Sequence, residues 1–272
     1  MLSAGRARVL RWAAVAATAV SSTLLFAGPA DAAAPVVLGG GSGVYVEDLT
    51  DPNSVSECTI TAMGYDNKNQ LVGLTAGHCG EVGARIAAEY TRSGGIGVIT
   101  EKDEEMDWAI IVFNPEKVNP TRRVAQSVIN SVGAPPQIGE NVCKNGRTTG
   151  FTCGPVWETR STFFRSQVCA NHGDSGAPVL RGDQLVGMVV AGTDFKAGPI
   201  SIELPLCTGG GNLIHEPELA TNITTVLADI DRHGGAGAGF RVAKGIPVSY
   251  KHQRAHDTEH FLVWGLFVFL FV

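Results

Sequence analysis

Three separated segments carry residue types that together could activate a hydroxyl. In Gly173-Asp174-Ser175-Gly176 a serine stands between small residues, so a carbonyl carbon can approach its oxygen without a side-chain clash. In such a turn the N–H groups of Gly173 and Ser175 can point the same way, as an oxyanion hole requires. Alone, the tetrapeptide is also an ordinary turn composition. A hydroxyl becomes a competent nucleophile when a neighbouring base takes its proton and a third group holds that base in the right tautomer. His78 supplies a base, closing the run Leu74-Thr75-Ala76-Gly77 beside Cys79. Asp107 supplies the orienting carboxylate, because it opens the apolar run Trp108–Phe113, where a carboxylate can be buried and aimed at an imidazole. The nearby Asp103, Glu104 and Glu105 read instead as a solvated acidic turn. The chemistry predicted is acyl transfer: His78 takes the Ser175 proton and returns it to the leaving group, with no metal or organic cofactor.

Those side chains must be carried by rigid elements. From residue 44 to about 124, short apolar runs alternate with Gly, Asn and Asp, the pattern of strands rather than helices. This predicts a small antiparallel barrel over residues 44–125 that carries His78 and Asp107. A proline-containing bridge (Pro115, Pro120, Pro135, Pro136) leads to a second strand-rich set over 126–233 that carries Ser175. Within it, Cys143 and Cys153 flank a hairpin. Leu219, Ile223, Val226, Leu227 and Ile230 recur at helical spacing and predict a packing helix over about 217–231. Asn222-Ile223-Thr224 spells a glycosylation triplet, but its place inside that helix makes it a chance match.

The 272 residues, 44% hydrophobic and 17% charged, suffice for a sizeable core. Arg6, Arg8 and Arg11 precede a mostly apolar stretch over 12–27, and Ala30-Asp31-Ala32 fits a small-residue cleavage site, so residues 1–32 read as a secretory signal. Of 21 basic and 26 acidic residues, that signal holds Arg6, Arg8, Arg11 and Asp31, leaving 18 and 25 and a net charge of −7. An acidic balance argues against a nucleic-acid partner or an anionic membrane surface. All six cysteines (Cys58, Cys79, Cys143, Cys153, Cys169 and Cys207) lie in the exported part, so three disulfides are expected, with fifteen possible pairings. Their spacing is too wide for a zinc site. Residues 33–43 read as a flexible Gly-rich leader too short for a folding pro-region. Residues 234–272 form a tail whose last twelve residues are almost wholly apolar, short of the roughly twenty that a spanning helix needs. It fits either shallow membrane or envelope attachment or a stretch outside the natural reading frame.

The segments around His78, Asp107 and Ser175, in that chain order, resemble the chymotrypsin-like (trypsin-fold) serine endopeptidases, and most closely the secreted bacterial branch of α-lytic protease and the streptogrisins. Cys143-Lys144-Asn145-Gly146-Arg147-Thr148-Thr149-Gly150-Phe151-Thr152-Cys153-Gly154 is the most branch-specific match. The resemblance implies an all-β fold of two antiparallel six-stranded barrels with a C-terminal helix. It selects the pairings Cys58–Cys79, Cys143–Cys153 and Cys169–Cys207. It implies that Lys144 stands where the branch has an arginine, pairing with Asp174 in place of an activating N-terminal ammonium. It assigns Cys169 to the floor of a substrate pocket lined by Ala170, His172, Val189, Val190, Ala191 and Gly192. With no aspartate on that floor, large apolar or aromatic residues are expected before the scissile bond, and His172 keeps a glutamate preference in view. Two positions depart from the family: Ala177 replaces a glycine, and Val190 replaces a serine that would contact the catalytic aspartate. The expectation is a monomeric, secreted endopeptidase acting on peptides or proteins. The alternative is a secreted binding protein that kept the fold without catalysis.

Overall fold

The computed structural model describes residues 34–91, 94–192, 195–197, 200–202, 204–209 and 214–244. The expected signal over 1–32 and the apolar end of the tail lie outside the described residues.

The sheet that carries His78 and Asp107 runs, in hydrogen-bonded order, Arg241–Val242, Ala62–Tyr65, Leu71–Ala76, Trp108–Phe113, Gly95–Asp103, Arg85–Ala88, Gly43–Glu47 and Val55–Thr59, every pair antiparallel. Val55–Thr59 and Ala62–Tyr65 are two halves of one extended run. The two residues between them continue the ladder, Ile60 N–H donating to Ser42 O at 2.9 Å and Thr61 N–H to Leu74 O at 2.8 Å. The sheet therefore curls until one stretch of chain pairs with both of its ends. Trp108–Phe113 explains why an uninterrupted apolar run is needed here. Ala109, Ile111 and Phe113 face one core, whereas Trp108 and Ile110 face a second, which also takes Leu180, Leu185 and Met188 from the other sheet and Ile223, Val226 and Ile230 from the helix. Alternate residues of one strand are buried on opposite sides, so neither side tolerates polarity.

The second sheet runs Ser131–Val132, Gln184–Gly192, Pro178–Arg181, Asn141–Gly146, Gly150–Thr159, Phe163–Ser166 and Glu218–Asn222. Glu218–Asn222 also pairs with Gln184–Gly192, which closes six strands into a ring. Val142, Val156, Phe164, Val179, Val186 and Val189 fill it. The all-β fold class is borne out, with two short parallel pairings at the margins, Val36–Leu38 on Val118–Pro120 and Ser131–Val132 on Gln184–Gly192.

Three boundaries differ from expectation. The helix spans Ile223–His233, and Glu218–Asn222 before it is a strand. The four-residue step from Leu219 to Ile223 mimics a helical period, but Asn222 is fully buried and donates through Nδ2 to the carbonyls of Arg160 (2.8 Å) and Ser161 (3.0 Å). Those bonds fix an extended residue where the helix starts. Residues 33–43 are not a loose leader: Val36–Leu38 is a strand and Leu38 to Gly41 are buried. Nor does the fold end at 233. Arg241–Val242 pairs with Ala62–Tyr65, Phe240 and Val242 pack on the core between the sheets, and Ala243 is buried. Residues 234–244 belong to the fold.

Candidate active site

His78 sits in the single turn Gly77–Cys79 that ends the fully buried strand Leu71–Ala76. The Cys58–Cys79 disulfide ties that turn to the neighbouring strand. Asp107 immediately precedes the adjacent strand, whose first residue Trp108 pairs with Ala76, and it lies in the left-handed region at φ 52°. Aspartate tolerates that conformation better than a bulkier side chain. The next residue, Trp108, is buried and donates its indole N–H to Asp229 Oδ2 at 2.9 Å, so the helix anchors the corner from which Asp107 projects. His78 Nδ1 lies 2.8 Å from Asp107 Oδ2, and the His78 backbone N–H donates to Asp107 Oδ1 at 2.7 Å. His78 Nε2 lies 2.8 Å from Ser175 Oγ. An imidazole protonated on Nδ1 donates to the carboxylate and leaves Nε2 to accept from the serine hydroxyl. Asp103, by contrast, accepts the Met106 N–H, and Glu104 and Glu105 are exposed.

The turn that carries Ser175 is held from both sheets. The Ser175 carbonyl accepts Thr59 N–H at 2.9 Å, and the Gly173 carbonyl accepts the Thr59 hydroxyl at 2.8 Å. Gly176 N–H donates to Val189 O at 2.7 Å, and Gly176 O accepts the Thr61 hydroxyl at 2.6 Å. Gly173 and Gly176 have φ of 91° and 84°, and a methyl at Gly176 would strike the Thr59 carbonyl and the Thr75 hydroxyl. Among the described residues, no acceptor engages the N–H groups of Gly173 or Ser175. Ala177, which stands where the family usually has a glycine, buries its methyl in the core of the second ring, which accommodates it.

Behind this turn lies a wholly buried ion pair. Lys144 Nζ is 3.2 Å from Asp174 Oδ2, and both side chains are 0% exposed. Asp174 also accepts from the N–H groups of Thr148 (2.8 Å), Thr149 (3.2 Å) and Asn171 (3.1 Å) and lies 2.6 Å from Thr149 Oγ1. The Lys144 ammonium spends its other donors on Gly150 O, at 3.1 Å, and on the Thr149 hydroxyl. Burial holds the lysine below its ordinary pKa against the pull of Asp174.

Of the expected pocket residues, Cys169 is disulfide-bonded to Cys207, and its carbonyl accepts the hydroxyls of Thr149 and Thr152. Ala170 is partly buried against the same core as Val189, and His172 is exposed. Val190 packs on the core that holds Trp108 and Met106, so methyls stand where the family's serine would bring a hydroxyl, and the His78 backbone N–H is a second donor to Asp107. Only the backbone of Ala191 and Gly192 is described. The third disulfide, Cys143–Cys153, completes the set that the resemblance implies.

Two residues escaped the sequence reading. Arg147 spans the sheets, donating to Glu57 at 2.7 Å and to both oxygens of Glu89, while its N–H bonds the Thr59 hydroxyl. Glu218 is buried, and burial pushes its carboxyl up to about 8. Its Oε2 accepts the Ser166 hydroxyl at 2.9 Å, and its Oε1 has no partner among the described residues. An acid in the predicted first turn of a helix draws no attention; only the strand places it in the interior. Asp103, Asp229 and His233 bring ligand atoms within 4.8 Å of one another, but Trp108 and Arg232 already occupy Asp229.

The comparisons point one way. The structure superposes on Thermobifida fusca protease A with a TM-score of 0.57 at 21% identity, covering 76% of this chain and 100% of that one. It superposes on a Nocardiopsis protease with a TM-score of 0.55 at 21% identity, covering 71% and 96%. The chain has the chymotrypsin-like serine protease fold. In sequence, it is 29% identical over 157 residues to streptogrisin-C of Streptomyces griseus, covering 53% of this chain and 32% of that protein. It is 30% identical over 136 residues to the uncharacterized protein Rv1815 of Mycobacterium tuberculosis, covering 44% and 60%. The chain thus matches about a third and three-fifths of the length of these curated relatives. No protein-family model matches. In this chain the two sheets meet where the Thr59 hydroxyl reaches Gly173 O and His78 reaches Ser175.

Proposed function

We propose that this protein is a secreted serine endopeptidase that cleaves peptide bonds through Ser175, His78 and Asp107. The observation that carries the reading is the unbroken hydrogen-bonded line from Asp107 through His78 to Ser175, with 2.8 Å at each step. Ser175 Oγ attacks the peptide carbonyl carbon as His78 Nε2 takes its proton. Asp107 orients the imidazole and stabilises its cationic form. The carbonyl oxygen, now an oxyanion, is received by the N–H groups of Gly173 and Ser175, each worth roughly 3–4 kcal/mol at the transition state. His78 then protonates the leaving amine, an acyl-enzyme remains, and water releases it by the same steps.

Lys144 and Asp174 hold the turn without an N-terminal ammonium, since the buried lysine occupies that electrostatic role. Ala170, Val189 and Gly192 leave an apolar-walled slot for a large side chain of the residue before the scissile bond. Three disulfides fit an oxidising, extracellular compartment. The test is a fluorophosphonate probe applied to the purified exported protein and to Ser175→Ala. Labelling of the first alone is expected; labelling of both, or of neither, counts against the reading.

A further inference from the structure

Glu218 is a buried acid that the proposed chemistry does not use. Its strand lies between Phe163–Ser166 and Gln184–Gly192, with Glu218 opposite Ser166 on one side and opposite Gly192 on the other. The second strand passes directly behind the nucleophile, because the Val189 carbonyl takes the Gly176 N–H at 2.7 Å. Three residues further along, about 10 Å at roughly 3.3 Å per residue, it reaches Gly192 and therefore Glu218. Strand alternation puts Glu218 on the face of Ala220, which packs in one cluster with Val189 and, at its margin, Ala170. The pairing thus sets Glu218 against the strand that walls the proposed slot beside Ser175.

Its hydrogen bonding is incomplete in a specific way. Oε2 is satisfied by Ser166, and Oε1 has no donor among the described residues. The charged groups that act on it are Lys144 and Asp174. Lys144 cannot serve it, because all three ammonium donors are committed to Asp174, Gly150 and Thr149. Asp174 can only accept. A buried carboxyl oxygen left without a donor is costly, and such groups collect where a ligand completes them.

Resting on the endopeptidase reading, we propose that Glu218 is a specificity residue whose free oxygen receives the ammonium or guanidinium of a lysine or arginine immediately before the scissile bond. The apolar walls take the methylene stem of such a side chain, and the carboxyl takes its charged head. Burial keeps the unoccupied carboxyl largely protonated near neutral pH, and an arriving cation favours its ionised form; an acidic side chain meets no cation there and is disfavoured. The expectation of an apolar preference, drawn from Cys169 on the floor, is thereby replaced by one for long side chains that end in a cation.

The experiment ranks kcat/KM for otherwise identical chromogenic peptides ending in Lys, Arg, Phe, Leu and Glu, with wild type and Glu218→Gln. Wild type is expected to favour Lys or Arg over Phe by about tenfold or more, and Glu218→Gln to remove most of that ratio. Benzamidine, a planar cation, should compete with fluorophosphonate labelling of the wild-type enzyme, which needs no variant to fold. Faster wild-type cleavage after Phe or Leu, or a Lys-to-Phe ratio untouched by Glu218→Gln, overturns the inference and leaves the endopeptidase reading standing. If no peptide is cleaved and Ser175 is not labelled, the endopeptidase reading itself fails and this inference goes with it.

Discussion

Two pairings of a carboxylate with a basic side chain flank Ser175, and they are built in opposite ways. Asp107 and His78 meet with side chains 25% and 47% exposed, and among the described residues Asp107 receives hydrogen bonds from His78 alone. Asp174 and Lys144 are fully enclosed, and the carboxylate is met by the lysine, three backbone N–H groups and one hydroxyl. A group that must change protonation during turnover needs a base of accessible pKa and a partner that does not over-stabilise one state. A group that must never change needs every lone pair occupied and water excluded. In the proposed endopeptidase the same charge chemistry serves proton transfer on one side of the serine and fixes backbone geometry on the other.

The comparison predicts that damage to the first pair costs rate, and damage to the second costs the fold. The largest effect is expected from His78→Ala or Ser175→Ala, each lowering kcat by about a millionfold with the melting temperature nearly unchanged. Asp107→Asn should lower kcat by about ten-thousandfold, because the amide no longer fixes the tautomer with Nδ1 protonated. A melting temperature that falls in step with rate in these variants breaks the comparison from one side. Lys144→Met leaves Asp174 as an uncompensated interior charge, and a loss of about 3–5 kcal/mol is expected in urea unfolding. An unchanged urea midpoint breaks it from the other side.

Glu218 sharpens the comparison, since it is buried like Asp174 but lacks its donors. Its folded pKa is raised from 4.5 to about 8. Over that window the unfolded chain releases a proton that the folded chain keeps, so stability declines as pH rises from about 4.5 and levels off above about 8. The fall amounts to a few kcal/mol at most. Glu218→Gln should flatten the curve, which denaturant titrations at pH 5, 7 and 9 will measure. The smallest effect is expected from Thr59→Val. It removes a hydroxyl that takes the Arg147 N–H and donates to Gly173 O, at about 1 kcal/mol or a several-fold loss of kcat with KM held.

How much the chain disclosed before its coordinates depended on how local each signal was. Strand Trp108–Phe113 was legible because burial on both faces demands an unbroken apolar run, and Asp107 stood out as the one acid adjoining it. The turn around Ser175 was legible because its glycines are conformational requirements. Glu218 was hidden, since Leu219 and Ile223 are four apart in either a helix or a strand that turns into one. Arg147 was hidden for a different reason: its partners Glu57 and Glu89 are 90 and 58 residues away. The order in residues 36–38 and 234–244 was illegible too, because glycine-rich stretches look loose until a neighbouring strand supplies their hydrogen bonds.

The return of Arg241–Val242 to Ala62–Tyr65 sets a limit on shortening the polypeptide. Deleting everything after His233 spares the helix but strips the outer ladder from Ala62–Tyr65, baring unsatisfied amides beside an apolar surface from which Phe240 and Val242 have gone. Bare strand margins of that kind recruit other chains and precipitate. A recombinant version that stops at Lys244 keeps the margin covered; one that stops eleven residues earlier invites insolubility whatever the state of its catalytic groups.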